Sequence, residues 1–364
     1  MGKKSVITVG QLFVMLFISR MVVNLTYNPL MAGGDTMWEH LLSAGISFLL
    51  TFVLIIPVYK LTASHQGLDI AGYSYFLLGK LGGAVVLIYA VYYFLVSCYT
   101  LSLFDSFVSN VISPQVSLIA LSLAVIIVSC YGAYRGIEAI ARTSGLILVL
   151  ICVAVIFIVI ALIPKIDAVN YTPLLYDGPQ QMTNGVMLMI ARTSCIPALA
   201  MLLPMVTGNV KKGIFWWNTA VYVSIALMIT LMVGALGDYL KTQTFPVYAA
   251  TSVAEIGMLK RLDAFYLGIW TTGLFIKIAL FLYLFSLCMQ RMFGKKAGKI
   301  SILLAGAAVT VLSVLITESR KLSYLIYNLR FLLLFTILVA FVIPVCFLIA
   351  DTIKRKGREK EHEA

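Results

Sequence analysis

This chain carries little charge. Only 12% of its 364 residues are Asp, Glu, Lys or Arg, and acids are the scarcer sign, 15 against 27 bases. Set beside 61% hydrophobic residues and a mean hydropathy of +1.00, that scarcity excludes an ordinary soluble domain. Histidine occurs three times, as His40, His65 and His362. The six cysteines, Cys98, Cys130, Cys152, Cys195, Cys288 and Cys346, all fall within or at the edge of apolar stretches. An exterior disulfide framework is therefore not expected, and neither CxxC nor Cys/His metal spacing occurs. A phosphate loop, a GxSxG elbow, HExxH and a deaminase-type HxE are also missing, so the chain is not expected to be an enzyme or to carry a cofactor or metal.

What is present is apolar length. Stretches long enough to cross a bilayer fall near residues 8–32, 37–60, 81–109, 114–131, 140–164, 181–207, 214–240, 262–291, 300–317 and 324–350. The reading is an all-α polytopic membrane protein with ten transmembrane helices. Residues 1–350 form one transmembrane domain and 351–364 a basic cytoplasmic tail. No small-residue cleavage site follows a short apolar core near the N-terminal lysines, so the first span is expected to be retained.

The net charge of +12 raises nucleic acid as a partner, but its placement argues for orientation instead. With the N-terminus inside, seventeen Lys/Arg fall on the cytoplasmic side, six outside and four within spans. That is the positive-inside pattern, with both termini cytoplasmic and no nucleic-acid partner. The tail from Lys354 to Lys360 is expected against anionic membrane lipid.

Ten spans divided after the fifth give repeats over residues 8–164 and 181–350, and five being odd, the second repeat is inverted. The first helix of each is interrupted. The first span carries Arg20 and then Asn24-Leu25-Thr26-Tyr27-Asn28-Pro29; the sixth carries Arg192-Thr193-Ser194-Cys195-Ile196-Pro197. At 1.5 Å per residue both arginines lie about 16–18 Å deep, near mid-bilayer. A lipid-facing helix has no use for a cation, amides and a proline there, and such breaks line polar cavities.

Several readings of these residues stay open. Arg20 and Arg192 either clamp a carboxylate, cap the unwound backbone of their own break, or pair with an acid such as Asp105. Asn24, Thr26, Tyr27 and Asn28 present amides and hydroxyls that suit an amino-acid ligand, or else belong to an early helix end running into Pro29 and the turn Ala32-Gly33-Gly34-Asp35. Thr193 and Ser194 are the matching candidates in the sixth span. In the third span Tyr89, Tyr92, Tyr93, Val96, Tyr99, Thr100 and Leu103 share a face that lines a ligand passage, with Tyr93 as the candidate contact, or packs between helices. In the eighth, Tyr266, Trp270, Gly273 and Lys277 share a stripe. Lys277 has no acid in its own span and either replaces a coupling ion at the unwound carbonyls of span one or is a fixed structural cation.

Two connections are more than loops. His65 to Lys80 reads as an interfacial helix on the cytoplasmic side, and Phe245 to Lys260 as a short exterior helix with Ala250, Val253, Ala254, Gly257 and Met258 on one face.

Phe245-Pro246, the run Arg261-Leu262-Asp263 to Trp270, and Phe275-Ile276-Lys277-Ile278-Ala279-Leu280-Phe281-Leu282-Tyr283 resemble the B-subunit permeases of bacterial spore germinant receptors. The resemblance extends over essentially all ten spans. It implies the amino acid/polyamine/organocation superfamily and a leucine-transporter-like 5+5 inverted repeat. In that fold the broken helices 1 and 6 bind the ligand, helix 8 lies beside helix 1, and the segment between helices 7 and 8 caps the exterior. It further implies A-type and lipoprotein C-type partner subunits in the spore inner membrane, and a small nutrient ligand, typically an amino acid, that triggers germination. The sequence departs from the superfamily's Gly-rich break in helix 1, having Ser19-Arg20-Met21-Val22-Val23-Asn24-Leu25-Thr26 there. A proton-coupled amino-acid transporter and a water or ion conduit gated by partner subunits remain alternatives.

Overall fold

The computed structural model describes residues 7–28, 37–64, 67–172, 179–256, 259–260 and 262–363. The chain begins at a two-residue strand, Ile7–Thr8, paired in parallel with Val206–Thr207. Thr8 then caps α1 (Val9–Asn24) with a full capping box: its hydroxyl accepts from the Gln11 N–H, and its own N–H donates to Gln11 Oε1 at 2.9 Å. This pairing sets the start of the first span beside the end of the sixth.

The following elements are α2 (Met37–Ser64), α3 (Ile70–Leu78), α4 (Gly82–Phe107), α5 (Leu118–Arg135), α6 (Ile137–Leu162), α7 (Pro179–Ala191), α8 (Cys195–Leu202), α9 (Val210–Leu236), α10 (Pro246–Val253), α11 (Asp263–Phe293), α12 (Lys295–Glu318), α13 (Arg320–Ile326), α14 (Leu329–Ile337) and α15 (Ile343–Glu363). Among the described residues nine helical spans are long and apolar enough to cross a membrane, and α1 is a shorter apolar helix. Together they account for the ten expected spans. At 16 residues α1 is about 24 Å long, short of a core of about 30 Å.

Burial sorts the spans. The α7–α8 span is 89% buried along its most apolar stretch and α11 67%, against 22% for the span containing α6. Hence α7, α8 and α11 form the interior, while α6 presents Leu146, Val149, Leu150 and Ile160 outward. The close approach of α11 to α1 depends on Gly273: a Cβ there would stand 2.6 Å from Val22 Cγ2.

The boundaries depart from expectation in four places. The apolar stretch near residues 8–32 is not helical throughout: α1 stops at Asn24, the early end that was one of the two readings of the Asn24–Pro29 cluster, with Thr26 N–H bonding the Val23 carbonyl and Tyr27 N–H the Asn24 carbonyl in tight turns. Pro29 and the segment Ala32-Gly33-Gly34-Asp35 lie outside the described residues. The tenth span is itself divided: α13 ends before Asn328, which caps α14, and residues 338–342 form a π turn ahead of Pro344. Proline lacks the N–H that would continue the ladder, so the wider turn absorbs the misfit. The backbone of α15 then stays helical to Glu363 through the basic tail.

Both connecting helices form, each shorter than expected. Asp69 caps α3, accepting from Gly72 N–H at 2.7 Å, and Gly79 ends it at φ 58°; His65 lies outside the described residues. Pro246 opens α10, but the helix stops at Val253, and Glu255–Ile256 pairs antiparallel with Leu259–Lys260. Gly257, Met258 and Arg261 lie outside the described residues. Tyr248 Oη donates to Asp263 Oδ2 at 3.0 Å, tying α10 to the start of α11.

Candidate functional site

A helix that stops inside a membrane leaves its last carbonyls without intrahelical donors. In α7 those of Met189 and Ala191 are taken by side chains. Arg20 Nη2 donates to the Met189 carbonyl at 2.8 Å, Thr193 Oγ1 to the same oxygen at 2.8 Å, and Thr336 Oγ1 of α14 to the Ala191 carbonyl at 3.0 Å. Past α1 the Thr26 carbonyl accepts from Arg192 Nη1 at 3.4 Å and the Leu25 carbonyl from Tyr266 Oη at 3.0 Å. Each arginine thus serves the other break. In these contacts neither arginine caps its own break or pairs with Asp105, and a carboxylate clamp is left open. A cation at a helix C-terminus also complements the macrodipole.

Asp105 is elsewhere. Both its carboxylate oxygens lie 2.8 Å from Ser122 Oγ of α5.

Lys277 joins the two breaks from a third element. Its Nζ stands 3.3 Å from the Ser19 carbonyl and 3.4 Å from Ser194 Oγ, and 5.7 Å from the centre of the Phe281 ring. The Ser19 carbonyl lies within helical α1, not in an unwound segment as expected, so Lys277 supplies a second donor to an oxygen inside the helix. Arg20, Arg192 and Lys277 interact electrostatically with one another. Among the described residues no carboxylate comes within 4.0 Å of Arg20 or Lys277. Arg20 is buried, with the Tyr222 hydroxyl beside it.

A cavity of about 40 Å³ lies between the sixth-span break, α4 and α14. Arg192, Ser194 and Lys277 line it, together with Val23, Tyr92, Tyr99 and Thr336. The remaining expected contacts are placed differently. Thr26 Oγ1 turns back to the Val23 carbonyl at 2.8 Å, and Asn24 Nδ2 lies 3.6 Å from Met21 Sδ. Tyr27 Oη is 3.0 Å from His40 Nδ1, and Asn28 Nδ2 donates to the Gln243 and Thr244 carbonyls at 3.1 and 3.2 Å, so these two secure the chain beyond α1. Tyr93 Oη donates to the Pro197 carbonyl at 2.8 Å, holding α8. Its neighbour Tyr92 faces the cavity and lies 3.2 Å from Thr336 Oγ1. Sequence reasoning missed Thr336, although a hydroxyl within an apolar run shortly before a proline is a signal of broken-helix chemistry.

Residues 6–321 match the spore permease family, described as spore germination protein. The chain belongs to the spore germination protein family. The matched region ends within α13, so α14, which contributes Thr336 to the cavity, lies beyond it. This spore permease is 24% identical to spore germination protein KB of Bacillus subtilis (strain 168), over 98% of both chains. A substrate-bound, outward-open structure of a Na+-coupled sialic acid symporter is similar in fold, with a TM-score of 0.66 at 13% identity, covering 94% of this chain and 80% of that one. The fold is that of a leucine-transporter-like 5+5 inverted repeat with helices 1 and 6 broken, and this spore germination family member is an integral membrane protein with a transporter architecture.

Proposed function

We propose that this permease recognises a small carboxylate-bearing nutrient, an amino acid by expectation, as the B-type subunit of a spore germinant receptor, and that binding triggers germination. The observation that carries this reading is the convergence of Arg192, Ser194 and Lys277 on one cavity at the start of α8. Helix N-terminal N–H groups and two cations favour a carboxylate there. A cavity of about 40 Å³ holds no more than a few waters, so nutrient binding requires α8 and α14 to separate. The nutrient shifts that equilibrium only by its differential affinity for the two states. Asn24, Thr26, Tyr27, Asn28, Thr193 and Tyr93 are proposed as groups that reorganise with the breaks, and Arg20 as the fixed cation behind them. A- and C-type subunits are the expected partners, in the spore inner membrane, with both termini cytoplasmic.

Thermal melting of the purified chain against amino acids and their carboxamides tests this. Amino acids should raise the melting temperature saturably, carboxamides should not, and Arg192→Gln should remove the shift. Equal stabilisation by acid and amide would reject the carboxylate site.

Lys277, standing where it bridges Ser19 and Ser194, favours one second reading, a proton-coupled amino-acid transporter. Radiolabelled uptake by proteoliposomes containing the chain alone, abolished by Lys277→Ala, would select it; binding without uptake selects the receptor.

A further inference from the structure

A second and larger cavity, about 300 Å³, lies apart from the break chemistry between α1, α6, α9, α10 and α11. Its lining is almost wholly apolar. The polar side chains that reach it are already engaged: Ser224 Oγ donates to the Ala220 carbonyl at 2.8 Å, Thr251 Oγ1 to the Tyr248 carbonyl at 2.8 Å, and Tyr266 Oη to the Leu25 carbonyl at 3.0 Å. Among the described lining residues these hydroxyls have committed their only protons and keep just their lone pairs, so desolvating a polar ligand there would go largely uncompensated.

The direction of access narrows the occupant further. Ile156 of α6 and Leu227 of α9 line the cleft and are also 58% and 42% exposed, so the mouth opens in the apolar outer surface of two membrane-crossing helices. The floor is buried, at Leu25, Met232 and Tyr266. Buried Val247, Ala250 and Thr251 of α10 roof the end on the expected exterior side. Beyond that roof, Lys165 after α6 is paired with Glu255 after α10 at 2.5 Å. Entry is therefore lateral, from hydrocarbon.

We propose that this cleft binds one acyl chain of a membrane phospholipid from the leaflet on the expected exterior side. The described mouth residues lie on the outer faces of α6 and α9, where bilayer hydrocarbon is expected, and burial of a chain against an apolar wall contributes about 0.8 kcal/mol per methylene. The inner end of that chain abuts Leu25, the first residue past α1, and Tyr266, which holds the Leu25 carbonyl. Chain occupancy and the arrangement of the first break are thereby linked, and each favours the other to the same degree. The proposal is independent of which nutrient the protein recognises.

The test is photolabelling of the purified full-length chain in nanodiscs containing a phospholipid with a mid-chain diazirine, followed by peptide mapping. Label should concentrate at least fivefold on residues 17–25, 151–162 and 224–232 relative to the outward surface of α12. Ala250→Phe and Ser224→Phe fill the cleft from two sides, and each variant that melts as wild type should lose that enrichment. If neither folds, enrichment on wild type that excess unlabelled phospholipid fails to reduce overturns the proposal. Even labelling of all lipid-facing helices, or enrichment unchanged by a folded filling variant, also overturns it. Stronger labelling of the same peptides by a diazirine fatty acid than by the phospholipid would reject the assigned source.

Discussion

Lys277 of the eighth span and Ser194 of the sixth meet at 3.4 Å, and the same ammonium reaches the Ser19 carbonyl of the first span at 3.3 Å. One side chain thereby holds both broken spans to the interior helix. Lys277→Met keeps the bulk without the charge. Methionine loses both bonds but also relieves the desolvation of a buried charge that has no carboxylate beside it among the described residues, so the two effects offset and melting should stay close to wild type. The ligand-induced shift should fall at least tenfold in apparent affinity. Unchanged affinity would place Lys277 outside the recognition chemistry.

The approach of α11 to α1 has a separate weak point. Gly273→Val forces a branched side chain against Val22 and should cost about 1–3 kcal/mol, read as lower melting temperature and reduced membrane abundance. Val22→Ala should recover part of that loss, because the clash is with Val22 Cγ2. A double-mutant cycle in detergent measures the coupling, and additive losses would show that the contact does not limit packing.

Asp105 and Ser122 make an unequal pair. Asp105→Asn keeps an acceptor for the Ser122 hydroxyl and should change stability by under about 1 kcal/mol. Ser122→Ala withdraws the hydroxyl that lies 2.8 Å from both carboxylate oxygens and should cost about 1–3 kcal/mol. Comparing the two melting curves at one pH decides the order; the reverse order would show the carboxylate's charge to be needed.

Arg291 Nη2 of α11 lies 2.7 Å from Asp69 Oδ2, and Asp69 Oδ1 caps α3. Asp69→Asn retains an acceptor for the cap and loses the ion pair, whereas Asp69→Ala loses both. Hydrogen exchange in α3 should accelerate modestly for the first and by roughly tenfold for the second, an N-cap being worth typically about 1 kcal/mol. Equal acceleration would show the ion pair alone to be what holds the helix.

Much of the site was legible because it is expensive. Arg20, Arg192 and Lys277 stand out in apolar spans, where a mid-depth cation costs about 2.5–3.5 kcal/mol on translocon scales and has to be answered by some acceptor. Which acceptor was not legible. Arg20 and Met189 are 169 residues apart, and no local pattern relates a guanidinium to a distant freed carbonyl. Tyr92 and Tyr93 are adjacent in sequence and point about 100° apart on a helix, so choosing the cavity-facing one needs the neighbours that only packing supplies. The end of α1 was legible as one of two readings, since Asn24, Thr26, Asn28 and Pro29 suit either a ligand-binding break or an early helix end; the backbone bonds at Val23 and Asn24 that set the turn were not.

By itself the sequence determined that this protein lives in a membrane, crosses it about ten times, and interrupts the first and sixth crossings near mid-depth. Those follow from properties that accumulate along the chain: apolar length, sparse charge, and prolines and cations where a helix cannot use them. The tertiary structure decided what the interruptions do to each other. Carbonyls released in one repeat are bonded by the arginine of the other, Lys277 joins both, and an apolar cleft lies beside them. Such pairings rest on distances of about 3 Å between residues far apart in sequence, and hydrogen bonding at that range is decided by where helices pack, not by composition.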